Sequence, residues 1–207
     1  MGAIRKYEAS DLEAIYRICL ETGASGQDAT ALYKDPKIVG HVYAGPYVRF
    51  APESAFVLED EEGVGGYVIG PEDSELFENL LEREWWPALR NQYSKPNGGH
   101  REWNHDERMA FLIHHPQRTP QHIAANYPAH LHIDLLPRFQ GEGFGRRMLD
   151  TWIGYMNRRG ARGFHLGVGT ANTRAIRFYR AFGLDEIETF GSPPSAIYFG
   201  KTLKEQI

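Results

Sequence analysis

The stretch 138–149, RFQGEGFGRRML, carries the strongest structural signal in the chain. It places Gly141, Gly143 and Gly145 between a strand-like run that ends in DLLP and a run with helical periodicity. Glycine loses more backbone entropy on folding than any other residue, so three alternating glycines need a physical reason. A strand, a glycine-rich turn and a helix N-terminus together expose backbone N–H groups that bind anions, and the helix dipole adds about half a positive charge. The stretch therefore predicts a phosphate cradle.

The glycine spacing excludes two common phosphate loops. A Walker loop needs a Lys followed by Ser or Thr after its last glycine, whereas Arg146 and Arg147 follow Gly145 here. A dinucleotide loop reads G-x-G-x-x-G and expects an acidic residue at the end of the next strand, where this chain reads HLGVGT. A purely structural turn remains open as an alternative. Arg138, Arg146 and Arg147 are expected to add positive charge beside the loop.

Composition sets the class of protein. The 207 residues correspond to one domain with a sizeable core. The single cysteine, Cys19, excludes an internal disulfide framework and predicts a cytoplasmic protein. A net charge of −4 with mixed signs argues against a nucleic-acid partner. There is no apolar run of membrane-spanning length and no signal-peptide core, so no membrane partner is expected.

Periodicity predicts the elements around the loop. In the first half we expect a strand at 4–9, a helix at 9–23, a short helix near 29–35, a hairpin of strands 55–59 and 64–69, a helix from 74 broken at Pro87, and a loop-rich insertion at 93–128. The first helix is expected to be capped by Ser10 or Asp11 and to bury Leu12, Ile15, Ile18 and Cys19. In the second half we expect strands at 129–136, 163–169, 184–190 and 196–203, and helices at 143–159 and 173–183. This alternation is typical of an α/β sheet.

Two motifs resemble the GCN5-related N-acetyltransferase (GNAT) superfamily. The run QGEGFG, 140–145, matches Q/R-x-x-G-x-G/A, which in that family holds the pyrophosphate of coenzyme A. The run NTRAIRFYRAFGL, 172–184, resembles N-x-x-A-x-x-x-Y-x-x-x-G-F, with Leu184 in place of the usual Phe. The resemblance implies a single domain over 1–207 of α/β (α+β) class, with a helical and loop insertion at 72–128. It also implies a mixed sheet of about six to seven strands, splayed between the fourth and fifth and flanked by helices.

The N-terminal half resembles a narrower group, the acetyltransferase-like domains at the C-terminus of eukaryotic O-GlcNAcase. The matching stretches are YEASDLEAIYRICLETG, DPKIVGHVYAGPYV, FVLEDEEGVGGYVIG and HLHIDLLP. From this resemblance we expect a free-standing, bacterial homologue without the glycoside hydrolase part. The eukaryotic domain has a degenerate pyrophosphate loop, whereas this chain keeps QGEGFG intact.

The family resemblance implies acetyl transfer from acetyl-CoA, as co-substrate, to an amine by direct attack. Tyr179 matches the general acid that protonates the departing thiolate, and the backbone N–H of Leu135 is implied to face the thioester. Tyr179 as a core residue and Asn172 as a helix cap stay open as alternatives. The residues implied to contact the cofactor are Leu135, Leu136, Gln140, Gly141, Glu142, Gly143, Phe144, Gly145, Arg146, Asn172, Ala175 and Phe178.

The general base is predicted on the strand before the loop. His130, His132 and Asp134 alternate, so their side chains are expected on one face of one strand. Asp134 is the first candidate, directly or through water, and His132 the second, because an unperturbed imidazole titrates at about 6.5. The same pattern, with His165, would suit a zinc hydrolase, but the Leu-Leu-Pro that follows departs from such sites and no metal is expected. An inactive acetyl-CoA-binding or protein-interaction pseudo-acetyltransferase is the remaining alternative.

The acceptor is left open between a small-molecule amine and a peptide lysine. The insertion is expected to overlie the acceptor side with its aromatic residues, Trp85, Trp86, Trp103 and Tyr127. The run GHVYAGPYV, 40–48, is expected to form an acceptor wall with a turn at its Gly-Pro pair. The chain is expected to be a monomer or a homodimer.

Overall fold

A computed structural model describes residues 2–203. The strands are β1 Ala3–Lys6, β2 Phe56–Asp60, β3 Gly63–Ile69, β4 Ala129–His130, β5 His132–Leu135, β6 Gly163–Gly169, β7 Asp185–Phe190 and β8 Ala196–Thr202. The helices are α1 Leu12–Glu21, α2 Ile38–Tyr43, α3 Gly45–Phe50, α4 Ser74–Glu84, α5 Trp86–Gln92, α6 His105–His114, α7 Gln121–Asn126, α8 Phe144–Arg158 and α9 Thr173–Phe182. Short 3-10 turns lie at Ala9–Asp11, Thr30–Leu32, Pro52–Ser54 and Pro137–Phe139.

The strands form two four-stranded sheets, in the orders β1-β2-β3-β5 and β4-β6-β8-β7. The segment 129–135 crosses between them at Leu131, because β4 pairs in parallel with β6 whereas β5 pairs antiparallel with β3. The last bond across the junction runs from the Leu131 N–H to the His165 carbonyl at 3.3 Å. Beyond it β5 and β6 diverge. The predicted α/β class and the predicted splay are confirmed, although the strands form two sheets of four rather than one sheet of six to seven, and 129–136 is broken into two strands.

Helices cover both faces of the first sheet. On one face α1 contacts β3 and β5, and its Ile15 and Ile18 are fully buried. On the other face α8 contacts β2, β3 and β5, and its Met148 and Trp152 are fully buried, as the helical periodicity of 144–156 predicted. Strand β5 therefore lies between two packed layers, and its edge beyond Leu131 opens into the gap between the sheets.

Gly70 packs directly against this crossover. A Cβ at this position would lie 1.9 Å from the His130 carbonyl oxygen and 2.7 Å from Leu131 Cα, both of them backbone atoms. We expect Gly70→Ala to lower the free energy of unfolding in urea by about 1–3 kcal/mol, the usual range for overpacking. Gly99→Ala, where a Cβ would meet nothing within 4 Å, is the matched control and should be near neutral. Equal stability of the two variants would contradict a close-packed junction.

Three expectations about the N-terminal half are wrong. Leu12 is 38% exposed rather than buried, because the chain first makes a 3-10 turn that rotates the start of α1. The carboxylate of Asp11 does not cap α1; it accepts from the Glu8 N–H at 2.8 Å and pairs with Arg5 at 2.7 Å. The Gly45–Pro46 pair begins α3 instead of forming a turn, as a proline in the first helical turn can.

The segment 93–128 is also more ordered than its composition suggests. It contains α6, which starts at a capping box of Asn104 and Glu107, and α7. Ile113 and Ile123 are fully buried, so the segment contributes to the core and is not only a surface loop. In the described part of the chain, no helix combines the length and the apolar character needed to cross a bilayer.

Candidate active site

The glycine loop begins the site. Gly141 has a φ of +87° and Gly143, the N-cap of α8, a φ of +80°, and a Cβ at either would meet nothing within 4 Å. Such left-handed backbone favours glycine over other residues by about 1–2 kcal/mol. Gly145 has a different reason, because its Cβ would lie 3.3 Å from the ring of Phe178 on α9. Two glycines therefore shape the loop, and the third lets α8 approach α9.

The backbone N–H groups of 141–146 have no hydrogen-bond acceptor within residues 2–203. They surround the N-terminus of the 15-residue helix α8, where the helix dipole is positive. Gln140 ties the loop to its surroundings, because its Nε2 donates to the Leu135 carbonyl at 2.5 Å and its Oε1 accepts from Arg174. The loop thus presents a row of open donors on a fixed backbone.

The cations around the loop differ from the prediction. Arg138 is turned away and pairs with Asp60 at 3.0 Å. Arg146 lies over the Phe182 ring at 4.8 Å and donates to the Ala181 carbonyl at 3.2 Å. Arg147 stays beside the loop, over the Phe144 ring at 5.0 Å, and it is joined by Arg174, which sequence reasoning missed and which donates to Gln140 Oε1. The position of Arg174 in the first turn after Asn172, on the exposed side of an amphipathic helix, was the available signal.

Free backbone donors continue along β5. The Leu136 N–H donates to the Gly65 carbonyl at 2.8 Å, so the preceding N–H, of Leu135, points to the opposite edge. The Leu131 N–H, on that same edge, is the last one paired with β6. The N–H groups of Ile133 and Leu135 therefore face the gap between the sheets without a partner among the described residues. The sequence analysis expected the Leu135 N–H to face the thioester, but it did not name the N–H of Ile133. Leu136, also expected to contact the cofactor, is buried and its N–H is already paired with Gly65.

Tyr179 and Asn172 lie on the opposite side of the gap, in and before α9. Tyr179 is buried against Phe199, with ring centroids 5.6 Å apart. Burial raises the pKa of Tyr179 well above its ordinary value, and the charge of Asp134 raises it further. The phenol therefore stays protonated at neutral pH and can donate. Asn172 caps α9, because its side chain accepts from the Ala175 N–H at 3.1 Å.

Asp134 is held by a residue that the sequence analysis did not single out. Tyr67 lies opposite it in the β3–β5 register and donates its hydroxyl to Asp134 Oδ2 at 2.6 Å. Burial raises the pKa of the Asp134 carboxyl, and the hydrogen bond from Tyr67 lowers it only in part. A carboxylate with a raised pKa is a stronger base than an exposed one.

The histidines lie on two strands but meet at one hydroxyl. Tyr47 Oη is 2.9 Å from His130 Nε2 and 3.0 Å from His132 Nε2. Burial, with the neighbouring His165 adding to it, lowers the pKa of His132 to about 4, and burial also lowers that of His130 well below its ordinary value. Both rings are therefore neutral at physiological pH, and His132 is a weaker base than a free imidazole.

The zinc pattern is not assembled. His130 and His132 share Tyr47, the His165 Nδ1 bonds to the Tyr127 carbonyl at 2.7 Å, and Asp134 is bonded to Tyr67. Within the stretch 2–203, no three His, Cys, Asp or Glu side chains converge as a ligand set. The alternation of His and Asp along 130–134 therefore does not produce a zinc-hydrolase centre.

A cavity of about 740 Å³ opens between the sheets on the side of α2–α4. Its lining includes Tyr43, Tyr47, Glu78, Glu82, Trp86 and His132. From the run 40–48, Val42, Tyr43 and Tyr47 border this cavity, but of the four aromatics expected on the acceptor side only Trp86 borders it. Trp85 instead donates to the His41 carbonyl and Trp103 to the Asn97 carbonyl. Asp134 and Tyr179 lie outside the lining.

Comparison with known proteins agrees with this geometry. The model of the acetyltransferase (GNAT) family matches residues 47–184. The O-GlcNAcases of Rattus norvegicus and Mus musculus are each 27% identical over 202 residues, which is 97% of this chain and 22% of theirs. The chain thus spans about a fifth of the length of these curated relatives. The predicted resemblance to their acetyltransferase-like domain is confirmed.

Solved structures give the same result. The crystal structure of a protein called SsHAT superposes with a TM-score of 0.88 at 38% identity, covering 97% of this chain and 98% of that one. The Salmonella typhimurium protein yncA, solved with its cofactor acetyl-CoA, shares the fold with a TM-score of 0.57 at 15% identity, covering 99% and 95% of the two chains.

Proposed function

The chain belongs to the acetyltransferase (GNAT) family, and on this premise we propose that it transfers the acetyl group of acetyl-CoA to an amine acceptor. The observation that carries the proposal is the row of open N–H donors at 141–146, which continues toward the open N–H groups of β5. The first set suits a pyrophosphate and the second suits the arm and thioester of the same co-substrate.

The loop, α8 and α9 together form the proposed co-substrate site. The backbone of 140–146, including Glu142 and Phe144, would surround the pyrophosphate, with Arg174 as an added cation. Asn172, Ala175 and Phe178 at the start of α9 would border the arm that leads to the thioester. The N–H of Leu135, with Ile133 beside it, would donate to the thioester oxygen as negative charge develops there. One such donor contributes about 100- to 1000-fold to the rate in other enzymes.

In the proposed step the neutral amine attacks the thioester carbon, so that a C–N bond forms and the C–S bond breaks. The proton lost by the amine reaches Asp134 through water, and the thiolate takes the proton of Tyr179. Asp134 is preferred over His132 because burial raises the pKa of the carboxyl and lowers that of the imidazole. Tyr67 keeps the carboxylate oriented toward β3.

The acceptor would lie in the cavity. Glu82 on its wall is paired with Arg90 at 2.6 Å, which leaves the Glu78 carboxylate, bonded to Thr119, as the group proposed to attract an amine, either a small molecule or a lysine side chain. We treat 1–207 as one catalytic domain in which 72–128 builds the acceptor side. The buried free thiol of Cys19 fits the cytoplasm as its compartment.

A panel of small amines and lysine peptides, assayed by release of coenzyme A thiol, tests the proposal. Activity should require the amine, and Asp134→Asn should lower kcat/KM about 100-fold. The base must be deprotonated to act, so kcat/KM should fall as the pH is lowered through the pKa of Asp134. Because that pKa is raised, this fall, the acidic limb of the pH profile, should come at a higher pH than it would with an ordinary carboxyl as the base. Asp134→Asn should remove the acidic limb.

His132→Gln is the control for that assignment. It should leave the acidic limb in place, since the His132 ring is neutral across the range. If His132→Gln removes the limb and Asp134→Asn keeps it, the base has been assigned to the wrong residue. If acetyl-CoA binds but no amine is acetylated, the chain is a binding module instead.

A further inference from the structure

A chain of hydrogen bonds runs through the wall of the cavity and ends at His132. Ser74 Oγ is 2.7 Å from the Pro128 carbonyl oxygen and 2.7 Å from His130 Nδ1. Tyr47 Oη then joins His130 Nε2 at 2.9 Å to His132 Nε2 at 3.0 Å. Ser74 is fully buried and Tyr47 is 7% exposed, so the bonds at these two hydroxyls are largely shielded from bulk solvent.

The Pro128 carbonyl fixes the direction of every bond in the chain. A carbonyl oxygen only accepts, so the single hydroxyl proton of Ser74 points to Pro128. Ser74 Oγ must then accept from His130 Nδ1–H, which leaves His130 Nε2 as an acceptor because the ring is neutral. The one proton of Tyr47 therefore points to His130.

The same logic determines the state of His132. With its proton directed at His130, the Tyr47 oxygen can only accept, so His132 carries its proton on Nε2. Its Nδ1 keeps a lone pair, for which the described residues supply no donor. His132 borders the cavity. The two histidines are thus opposite tautomers, although both bond to one hydroxyl through the same nitrogen type.

We propose that Ser74, His130 and Tyr47 are positioning residues that lock His132 in the Nε2–H tautomer and so present its Nδ1 as a hydrogen-bond acceptor to the amine. This rests on the proposed function for the identity of the ligand. An amine substrate that bears an N–H donates it to His132 Nδ1. This bond orients the lone pair of the amine and does not depend on proton removal by Asp134. Substrates without an N–H at that point are disfavoured, because they leave the Nδ1 lone pair of His132 without a donor.

The tautomers can be read without any substrate. Long-range ¹H–¹⁵N correlation spectra of protein labelled with ¹⁵N-histidine should show His132 protonated on Nε2 and His130 on Nδ1. Tyr47→Phe should release His132 into exchange between its two tautomers. Tyr43→Phe is the control, since the Tyr43 ring lies 5.9 Å from the His132 ring without bonding to it, and it should leave both signals unchanged. A His132 signal protonated on Nδ1, or the same tautomer at both histidines, overturns the inference.

Kinetics test the consequence for the acceptor. With the best amine of the panel, Tyr47→Phe should raise the KM for the amine about tenfold, the effect of one lost hydrogen bond. The Kd for acetyl-CoA should not change. Ser74→Ala, a smaller perturbation, should shift the same parameter in the same direction. An unchanged amine KM in both variants overturns the role of His132. Absence of turnover in the unmodified protein overturns the proposed function, and the tautomer spectra alone then show whether His132 is held in the Nε2–H tautomer.

Discussion

Gly143→Asp is expected to abolish acetyl-CoA binding, raising the Kd at least 100-fold (about 2.7 kcal/mol). Gly143 caps α8 with a φ of +80°, and the space where its side chain would project is empty of protein atoms. An aspartate there would place bulk and a negative charge among the donors proposed for the pyrophosphate. Calorimetric titration with acetyl-CoA measures the loss directly.

Gly160→Asp is the control for strain and for added charge. Gly160 has a φ of +77°, and a Cβ there would also meet nothing within 4 Å. It follows the other end of α8, a helix of 15 residues that is about 22 Å long at 1.5 Å per residue. The two variants should lose similar stability, but Gly160→Asp should bind acetyl-CoA as the unmodified protein does. Equal loss of binding in both would mean that the effect comes from the fold and not from the loop.

Tyr179→Phe is expected to lower kcat about 100- to 1000-fold while leaving the Kd for acetyl-CoA unchanged. The ring is buried against Phe199, so the substitution keeps the packing and removes only the hydroxyl. Because burial raises the pKa of this phenol, it stays protonated as the pH rises through 9 and remains a donor to the thiolate. Release of coenzyme A thiol with the best amine gives kcat.

Tyr155→Phe is the matched control for this substitution. Tyr155 lies on α8, with the Lys6 ammonium 4.1 Å from its ring centroid, and has no part in the proposed site. Its hydroxyl should be dispensable. If Tyr179→Phe keeps full kcat, Tyr179 is a core residue only, and the thiolate must take its proton from water or another group.

The parts that local sequence could predict are those with local causes. The glycine loop follows from glycine spacing, and α8 and α9 follow from apolar periodicity and, for α9, from the cap at Asn172. Each of these signals lies within or next to the element that it predicts. The break at Leu131 could not be predicted in this way. It depends on Gly70, which is distant in sequence and packs against the His130 and Leu131 backbone.

The candidate catalytic residues can be predicted from the sequence, but the residues that contact them cannot. Asp134, His132 and Tyr179 are visible as residue types in a pattern, but their partners are not. Tyr67 reaches Asp134 across the β3–β5 register, and Tyr47 reaches the histidines from α3. These contacts decide which group is the stronger base, since they determine burial and hydrogen bonding. The proposed roles therefore rest on long-range packing rather than on any motif.

Calorimetric titration of the unmodified protein with acetyl-CoA, with NADH as the control ligand, measures whether the loop at 140–146 binds coenzyme A. If the loop at 140–146 holds a coenzyme A pyrophosphate, acetyl-CoA should bind at one site with a micromolar Kd, and NADH should give no saturable heat. Absence of acetyl-CoA binding, or equal binding of both ligands, would contradict the claim that this loop is a coenzyme A site.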